Sequence, residues 1–452
     1  VTGAPATNAA PDVGSGLIDY LAASPTPFHA CAESARLLGG AGFRRLDERD
    51  EWPTEPGGYF LIRGGSLLAW STRHSAGATT PIRLVGAHTD SPNFRIKPQP
   101  DVARAGWQLL GVEPYGGIIA PSWMDRDLGV AGRAAVRDGH GVAERLFVVD
   151  EPILRISRLA IHLDRSAREG EQLNPQQHLV PHWGLGDTPG DFRAYLAQRL
   201  GVATGDLLAW DAMTYDLQPA AFFGREQEFI AGARMDNLAT SYAGTLALIR
   251  AHESAPGTAT TQVLALFDHE EIGSVSERGA QSALLMTTLE RITRTLGGDR
   301  EAMHRALAGS VIASGDMAHA THPNYADRHE PQHQIAMNGG PVLKINTNLR
   351  YATDSVGAAA FSLACEQADV PVQRFVVRSD LPCGSTVGPI TSALTGVTTV
   401  DFGAPTLSMH SVRELVGRDD QRMYADALTA FLSPAGVADS SGAPRTAVQS
   451  AP

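Results

Sequence analysis

A chain of 452 residues, 43% hydrophobic and 19% charged, exceeds what one hydrophobic core usually serves; its composition is globular, not disordered or fibrous. A formal net charge of −12 excludes nucleic acid and anionic membrane as main partners, because both require a basic footprint. No apolar run approaches the roughly 18 residues of a membrane helix, and VTGAPATNAAPDVGSG lacks a basic region followed by an apolar core, so a cytoplasmic protein is expected.

Up to about Gly14 the chain is rich in Ala, Pro, Thr and Gly, which predicts a mobile end. LIDYLAAS then forms a helix, SPTPFHA breaks it, and CAESARLLGGAG forms a second helix that stops in glycines. YFLIRGGSLLAWST reads as a hairpin turning at Gly64 and Gly65, and the next strand, RLVGAHTD, ends in His88 and Asp90. The prolines of SPNFRIKPQP place a boundary at Pro98. Beyond it, GWQLLGVEPYGG, GVAGRAAVRD, GVAERLFVVD and LRISRLAIHLDR alternate between Gly and Asp turns, the pattern of β structure. SAREGEQLNPQQHLVPHWGLGDTPGD is too long for a plain connector and reads as a functional or mobile loop. From NLATSYAGTLALIRAHE onward, helices and strands alternate down to DQRMYADALTAFL. The fold class is therefore α/β, a mixed sheet flanked by helices. Residues 1–97 and 230–432 form one domain, 98–229 a largely β insert within it, and 433–452 a disordered tail.

Within that frame one stretch stands out. VLALFDHEEIGS is an apolar strand that stops abruptly in Asp268, His269, Glu270 and Glu271, and in open α/β sheets ligands bind beyond the carboxyl ends of strands. The pattern recurs: RLVGAHTD delivers His88, SVIASGDMAH delivers Asp316 and His319, and VTTVDFGAP leads through LSMH to His410. Asp236 precedes a helix pattern, where a helix N-cap is the plain alternative. Two histidines with several carboxylates suit zinc, manganese or cobalt. There is no GxSxG or GxxxxGK[ST], which excludes an α/β-hydrolase and a P-loop NTPase. Cys31, Cys365 and Cys383 lie far apart and read as reduced thiols, with Cys383 a packing residue.

GAHTDSPNFRIKP, ARMDNLATS, FDHEEIGS, GDMAHATHPNY, LKINTNLRYATD, DLPCGSTVGPI and APTLSMHSVRE resemble, in order and wording, the aspartyl aminopeptidases, over roughly Asp19 to Leu432. The resemblance implies a zinc-exopeptidase-like fold whose insert mediates subunit contacts. It implies two divalent ions, zinc in the first place: His88 and Asp316 on one, Glu271 and His410 on the other, Asp236 bridging. Glu270 is then the general base, and Asp90 orients the His88 imidazole. His319, Lys344 and Tyr351 line the substrate pocket, Lys344 being the cation for an acidic substrate side chain. His162 is implied as a contact donated by a neighbouring subunit in a homo-oligomer, a dodecamer built from dimers. The implied activity is removal of N-terminal Asp or Glu from peptides. A neutral-preferring two-metal exopeptidase and a catalytically silent oligomeric or cargo protein are the alternatives.

Overall fold

The computed structural model describes residues 12–165, 170 and 172–436. Residues 1–11 of the expected mobile end, part of the long insert loop, and positions 437–452 of the expected tail lie outside the described residues. Among the described residues the strands form three sheets, of nine, six and five strands.

The nine-stranded sheet is the frame. At its centre Thr261–Phe267, Ile82–His88, Val311–Gly315 and Thr398–Gly403 run parallel, side by side. The hairpin Gly58–Arg63 and Ser66–Ser71 adds antiparallel strands at one edge, and Val342–Ile345 pairs antiparallel to Thr398–Gly403 on the other side. The sheet is therefore mixed. Side chains alternate between its two faces with the period of two that a strand imposes. Leu264, Leu266, Val85 and Ala313 enter the core shared with the helices Val13–Ala23, Pro27–Gly40, Met235–Glu253 and Arg418–Leu432. Val263, Ala265, Phe267, Leu84 and Ile312 enter the opposite core, under Leu284–Thr295, Arg300–Ala308 and Val387–Thr395. Both faces are covered, which explains why these strands read as continuous apolar runs. In the register Phe267 faces His88 and Ser314 faces Gly86, so the chain leaves the sheet at one level after Phe267, at His88 and at Asp316.

The insert is an antiparallel sheet of Gly141–Leu154, Leu128–Asp138, Leu207–Asp216, Asn93–Arg104, Trp107–Tyr115 and His182–Leu185. It has its own core, in which Phe94, Leu110, Val130, Phe192 and Leu196 are buried together. Its first strand runs straight through Pro98, and Asn93 already pairs with Tyr115, so the insert sheet begins ahead of the expected boundary. At the other end it closes at Asp216. Ala221–Phe223 and Phe229–Gly232 belong instead to the five-stranded sheet, with Glu414–Gly417, Pro405–Leu407 and Ala318–His319. No helix among the described residues is long and apolar enough to cross a membrane.

Gly403 ends a central strand where the neighbouring strand passes closest: a Cβ there would lie 2.0 Å from the Asp316 carbonyl oxygen. Backbone cannot give way as a side chain tip can. Gly403→Ala should therefore cost about 2 kcal/mol or more in chemical denaturation and displace Asp316; a variant as stable as the parent would mean that the strands separate freely.

Candidate metal centre

Each cluster residue is placed by the end of an element. His88 is the last residue of its strand and is buried, and Asp316 follows Val311–Gly315 directly. Asp236 lies in the first turn of Met235–Glu253, where Arg234, not Asp236, holds the capping position. This answers the N-cap alternative: the Asp236 carboxylate faces two imidazoles instead. After Phe267 the chain turns at His269, whose φ of 67° is left-handed, into the short helical turn Glu270–Ile272. That turn sends two adjacent glutamates to different neighbours. Glu270 approaches His88 at 4.0 Å, and Glu271 approaches His410 at 3.5 Å.

The distances define two groups that share a member. His88 Nε2 lies 3.4 Å from Asp236 Oδ1 and 3.6 Å from Asp316 Oδ1. His410 Nε2 lies 3.3 Å from Asp236 Oδ2 and 3.5 Å from Glu271 Oε2. In each group, His88–Asp236–Asp316 and Asp236–Glu271–His410, one ligand atom per residue falls within 4.8 Å of the others, and His88, Glu270 and Glu271 form an overlapping group at the same spacing. The donor set fits a metal: Asp236 Oδ1 and Glu271 Oε1 are buried and have no hydrogen-bond partner among the described residues. Oxygens so placed are costly unless something positive meets them.

The ring nitrogens are arranged to match. His88 Nδ1 faces the Asp90 carbonyl oxygen at 3.0 Å and His410 Nδ1 faces the Gly117 carbonyl at 2.9 Å. A carbonyl only accepts, so both Nδ1 atoms carry a proton and both Nε2 atoms face the carboxylates. Asp90 thus orients His88 chiefly through its backbone, its Oδ1 being 3.5 Å away. Its carboxylate has other partners: Oδ1 accepts the Glu270 amide and Oδ2 the Glu271 amide, both at 3.1 Å, and Oδ2 also accepts the Tyr115 hydroxyl at 2.7 Å. Glu414, which sequence reasoning passed over, does the same on the other side. It accepts the Asp236 amide at 3.2 Å and the His410 amide at 3.1 Å. Its one signal was its place four residues after His410, in SMHSVRE.

Electrostatics follow from crowding. Burial pushes the Glu270 carboxyl up to about 8; His88 opposes this, while the Asp316 and Asp90 charges add to it. Burial and Asp236 also hold Glu271 well above the carboxylate range. Burial works on Asp236 in the same direction, but His410 and His88 outweigh it and hold its carboxyl low. For His410 burial acts downward and is overcome by Asp236 and Glu271, which raise the imidazole to about 10.

Lys344 is buried on its strand and paired: Nζ donates to Asp316 Oδ2 at 3.3 Å and to the Met317 carbonyl at 3.2 Å, and lies 5.1 Å from the centre of the Tyr351 ring. His319 meets Phe375 edge to face at 5.8 Å and is exposed in the single chain; desolvation by the protein atoms around it, together with the Lys344 charge, lowers its pKa. His162 is not brought to the cluster within one chain; it sits on an exposed turn closed by the Leu163 amide on the Ala160 carbonyl. Asp268 and His269 are supports: Arg278 Nε donates to Asp268 Oδ2 at 2.7 Å, and His269 Nδ1 meets Ser276 Oγ at 2.8 Å. Cys31, Cys365 and Cys383 are free, and Cys383 packs beside the Tyr351 cluster.

A helix-flanked mixed sheet whose carboxyl edge gathers two histidines and several carboxylates defines a metal-dependent hydrolase of the zinc-exopeptidase kind. The chain belongs to the aminopeptidase I zinc metalloprotease (M18) family, which matches residues 20–432. It is 53% identical over 422 residues to the "Probable M18 family aminopeptidase 2" of Mycobacterium tuberculosis, covering 92% of this chain and 97% of that protein. Among solved structures it superposes on the cryo-EM structure of the Ape4 and Nbr1 complex with a TM-score of 0.89 at 36% identity, covering 94% of this chain and 86% of that one. It also superposes on the mApe1 dodecamer of S. cerevisiae with a TM-score of 0.82 at 26% identity, covering 94% and 97%. The protein is thus a metallo-aminopeptidase.

Chelation should lower its melting temperature and abolish peptidase activity, and zinc should restore both. Free metal at a hundredfold excess over its dissociation constant stabilises a protein by about 2.7 kcal/mol. Affinity for zinc should fall as the pH falls, since protons compete for Glu271 and His410. Identical melting curves with and without chelator would show that the cluster holds no stabilising ion.

Proposed function

We propose that this chain is a two-metal aminopeptidase that removes aspartate or glutamate from the N-terminus of peptides. The observation that carries the reading is the pair of three-residue groups sharing Asp236; a third grouping, His88, Glu270 and Glu271, overlaps both and keeps Glu270 within reach of the same space. His88, Asp236 and Asp316 would hold one zinc ion, and Asp236, Glu271 and His410 the other. Bound zinc supplies Lewis acidity toward the peptide carbonyl and makes water a nucleophile near neutral pH. Glu270 accepts a proton from the attacking water as its oxygen joins the carbonyl carbon, and passes that proton to the amine as the C–N bond breaks. A silent member of the fold would have lost Glu270 or a ligand, and this chain keeps them all.

His319, Lys344 and Tyr351 form the proposed substrate pocket. An ammonium has three donors; two of those on Lys344 are engaged, which leaves one for an acidic substrate side chain. A neutral-preferring exopeptidase is the second reading, and the Lys344–Asp316 contact favours it, because that carboxylate already meets part of the charge. His162 is proposed to reach the site of a neighbouring subunit in a homo-oligomer, a dodecamer as the S. cerevisiae relative is described. Leu159, Ile161 and Leu163 flank it and are exposed in the single chain, as residues of a subunit contact are. Reduced cysteines fit a cytoplasmic location.

A panel of N-terminal aminoacyl substrates, assayed with the zinc-loaded protein, separates the two readings. Glu270→Gln should keep its zinc and lose roughly 10²- to 10⁴-fold in kcat, since an amide cannot accept the proton; near-normal turnover with full metal content would remove Glu270 from this role. Lys344→Met should depress hydrolysis of Asp and Glu substrates far more than Leu or Ala substrates. An equal fall across the panel would mean that the cation selecting acidic residues lies elsewhere.

A further inference from the structure

The metal cluster is closed on one side by the insert. Tyr115 ends the strand Trp107–Tyr115, and its hydroxyl donates to Asp90 Oδ2, the oxygen that also accepts the Glu271 amide. The Arg95 guanidinium lies 4.1 Å from the centre of the Tyr115 ring, while its Nε and Nη2 are buried without hydrogen-bond partners among the described residues. Ring and guanidinium therefore hold each other in place. The next residue, Gly116, has a φ of 72°, and a Cβ there would come within 3.1 Å of Glu271 Cβ and 3.3 Å of its Oε2. Gly117 then offers its carbonyl to His410 Nδ1, and the Ile119 amide donates to the His410 carbonyl at 3.1 Å. Three hydrogen bonds, from Tyr115, Gly117 and Ile119, and the close approach of Gly116 thus bring one short segment against Asp90, Glu271 and His410.

We infer that Tyr115–Gly117 is a positioning strap through which the insert of the same chain holds Glu270, Glu271 and His410 in place for metal and base chemistry. The insert is then part of the metal centre in its own subunit, separately from any contact that His162 makes with another. Tyr115 acts through Asp90: its hydroxyl fixes the carboxylate that holds the amides of both glutamates. Gly117 acts through His410, by setting which ring nitrogen carries the proton. Hydrogen-bonded groups behind a metal ligand typically change metal affinity by 10- to 100-fold when removed.

The inference rests on the two-metal reading, and the test begins with the wild-type full-length protein, whose zinc stoichiometry and affinity are measured by calorimetry and elemental analysis. Tyr115→Phe keeps the ring and the Arg95 contact and removes only the hydroxyl. It should weaken zinc binding roughly 10-fold or more and lower kcat with KM nearly unchanged, since Tyr115 is not placed against substrate. Gly117→Ala sets a Cβ 3.1 Å from His410 Nδ1 and should reduce the zinc bound per chain from two ions to one. Either variant decides the question if the other does not fold. A folded variant that loses thermal stability alone, with wild-type zinc affinity, stoichiometry and kcat, makes the strap an ordinary domain contact and overturns the inference. A wild type that binds a single ion overturns the two-metal reading instead, and the strap then stands or falls on the variants' affinity for that ion.

Discussion

Carboxylates that repel one another at a buried sheet edge are the constraint on which this structure turns. Two unit charges 4 Å apart at an effective dielectric of 20 interact by about 4 kcal/mol. Asp236, Glu270, Glu271, Asp316 and Asp90 crowd one another in such surroundings, with two imidazoles among them. The raised carboxyls of Glu270 and Glu271 and the raised imidazole of His410 are three expressions of a single imbalance. Hydrophobic burial cannot gather charges in this way; the two cores of the central sheet bring the strand ends together and leave the electrostatic cost to be offset by a cation.

The ligands are held by backbone as much as by side chain. Asp90 clasps the amides of Glu270 and Glu271, and Glu414 clasps those of Asp236 and His410. Two buried carboxylates thereby fix four cluster residues at the peptide level, so the side chains start from set positions. Three of the turns involved use left-handed backbone at residues other than glycine: Arg234, His269 and His410, with φ of 62°, 67° and 67°. Such conformations cost of order 1 to 3 kcal/mol each and persist where the surroundings over-determine them. Here the clasps and the paired strands do so.

The legible part of the sequence was the part governed by local pattern. Apolar runs that end in His, Asp or Glu located the central strands and the residues beyond them, because strands buried on both faces leave no other place for charge. Gly64 and Gly65 marked their hairpin, and the turn does fall between Arg63 and Ser66. Prolines misled at the insert boundary. Pro98 lies in the interval between Ile96 and Asp101 where the pairing register shifts, so the strand passes it without losing a ladder bond. LRISRLAIHLDR alternates like a strand, yet the strand stops at Leu154; Ile156 is still buried, but Leu159, Ile161 and Leu163 beyond it remain exposed within one chain. Tyr115 and Gly117 left no local pattern. Each acts through a hydrogen bond to a partner that sequence does not pair with it, Tyr115 to Asp90 and Gly117 to His410, and such pairings exist only once the insert is folded back on the sheet.

Lys344 joins the carboxylate–histidine cluster to the proposed substrate pocket. Asp316 is approached by His88 on one oxygen and by Lys344 on the other, so a single carboxylate divides its charge between the cluster and the pocket. The Met317 carbonyl and the Tyr351 ring, also against the ammonium, carry no net charge, and the Asp401 carboxylate acts on it from beyond ion-pair distance. Any positive charge taken up beside Asp316 would therefore draw on the one carboxylate that ion-pairs with Lys344 among the described residues and leave the buried ammonium less compensated. A buried cation in that state favours an anionic group within reach over a neutral one. On the proposed reading, loading of the metal site and selection of an acidic substrate side chain are thus coupled through one aspartate. The lowered pKa of His319 belongs in part to the same balance, because Lys344, after desolvation, disfavours a second cation beside it.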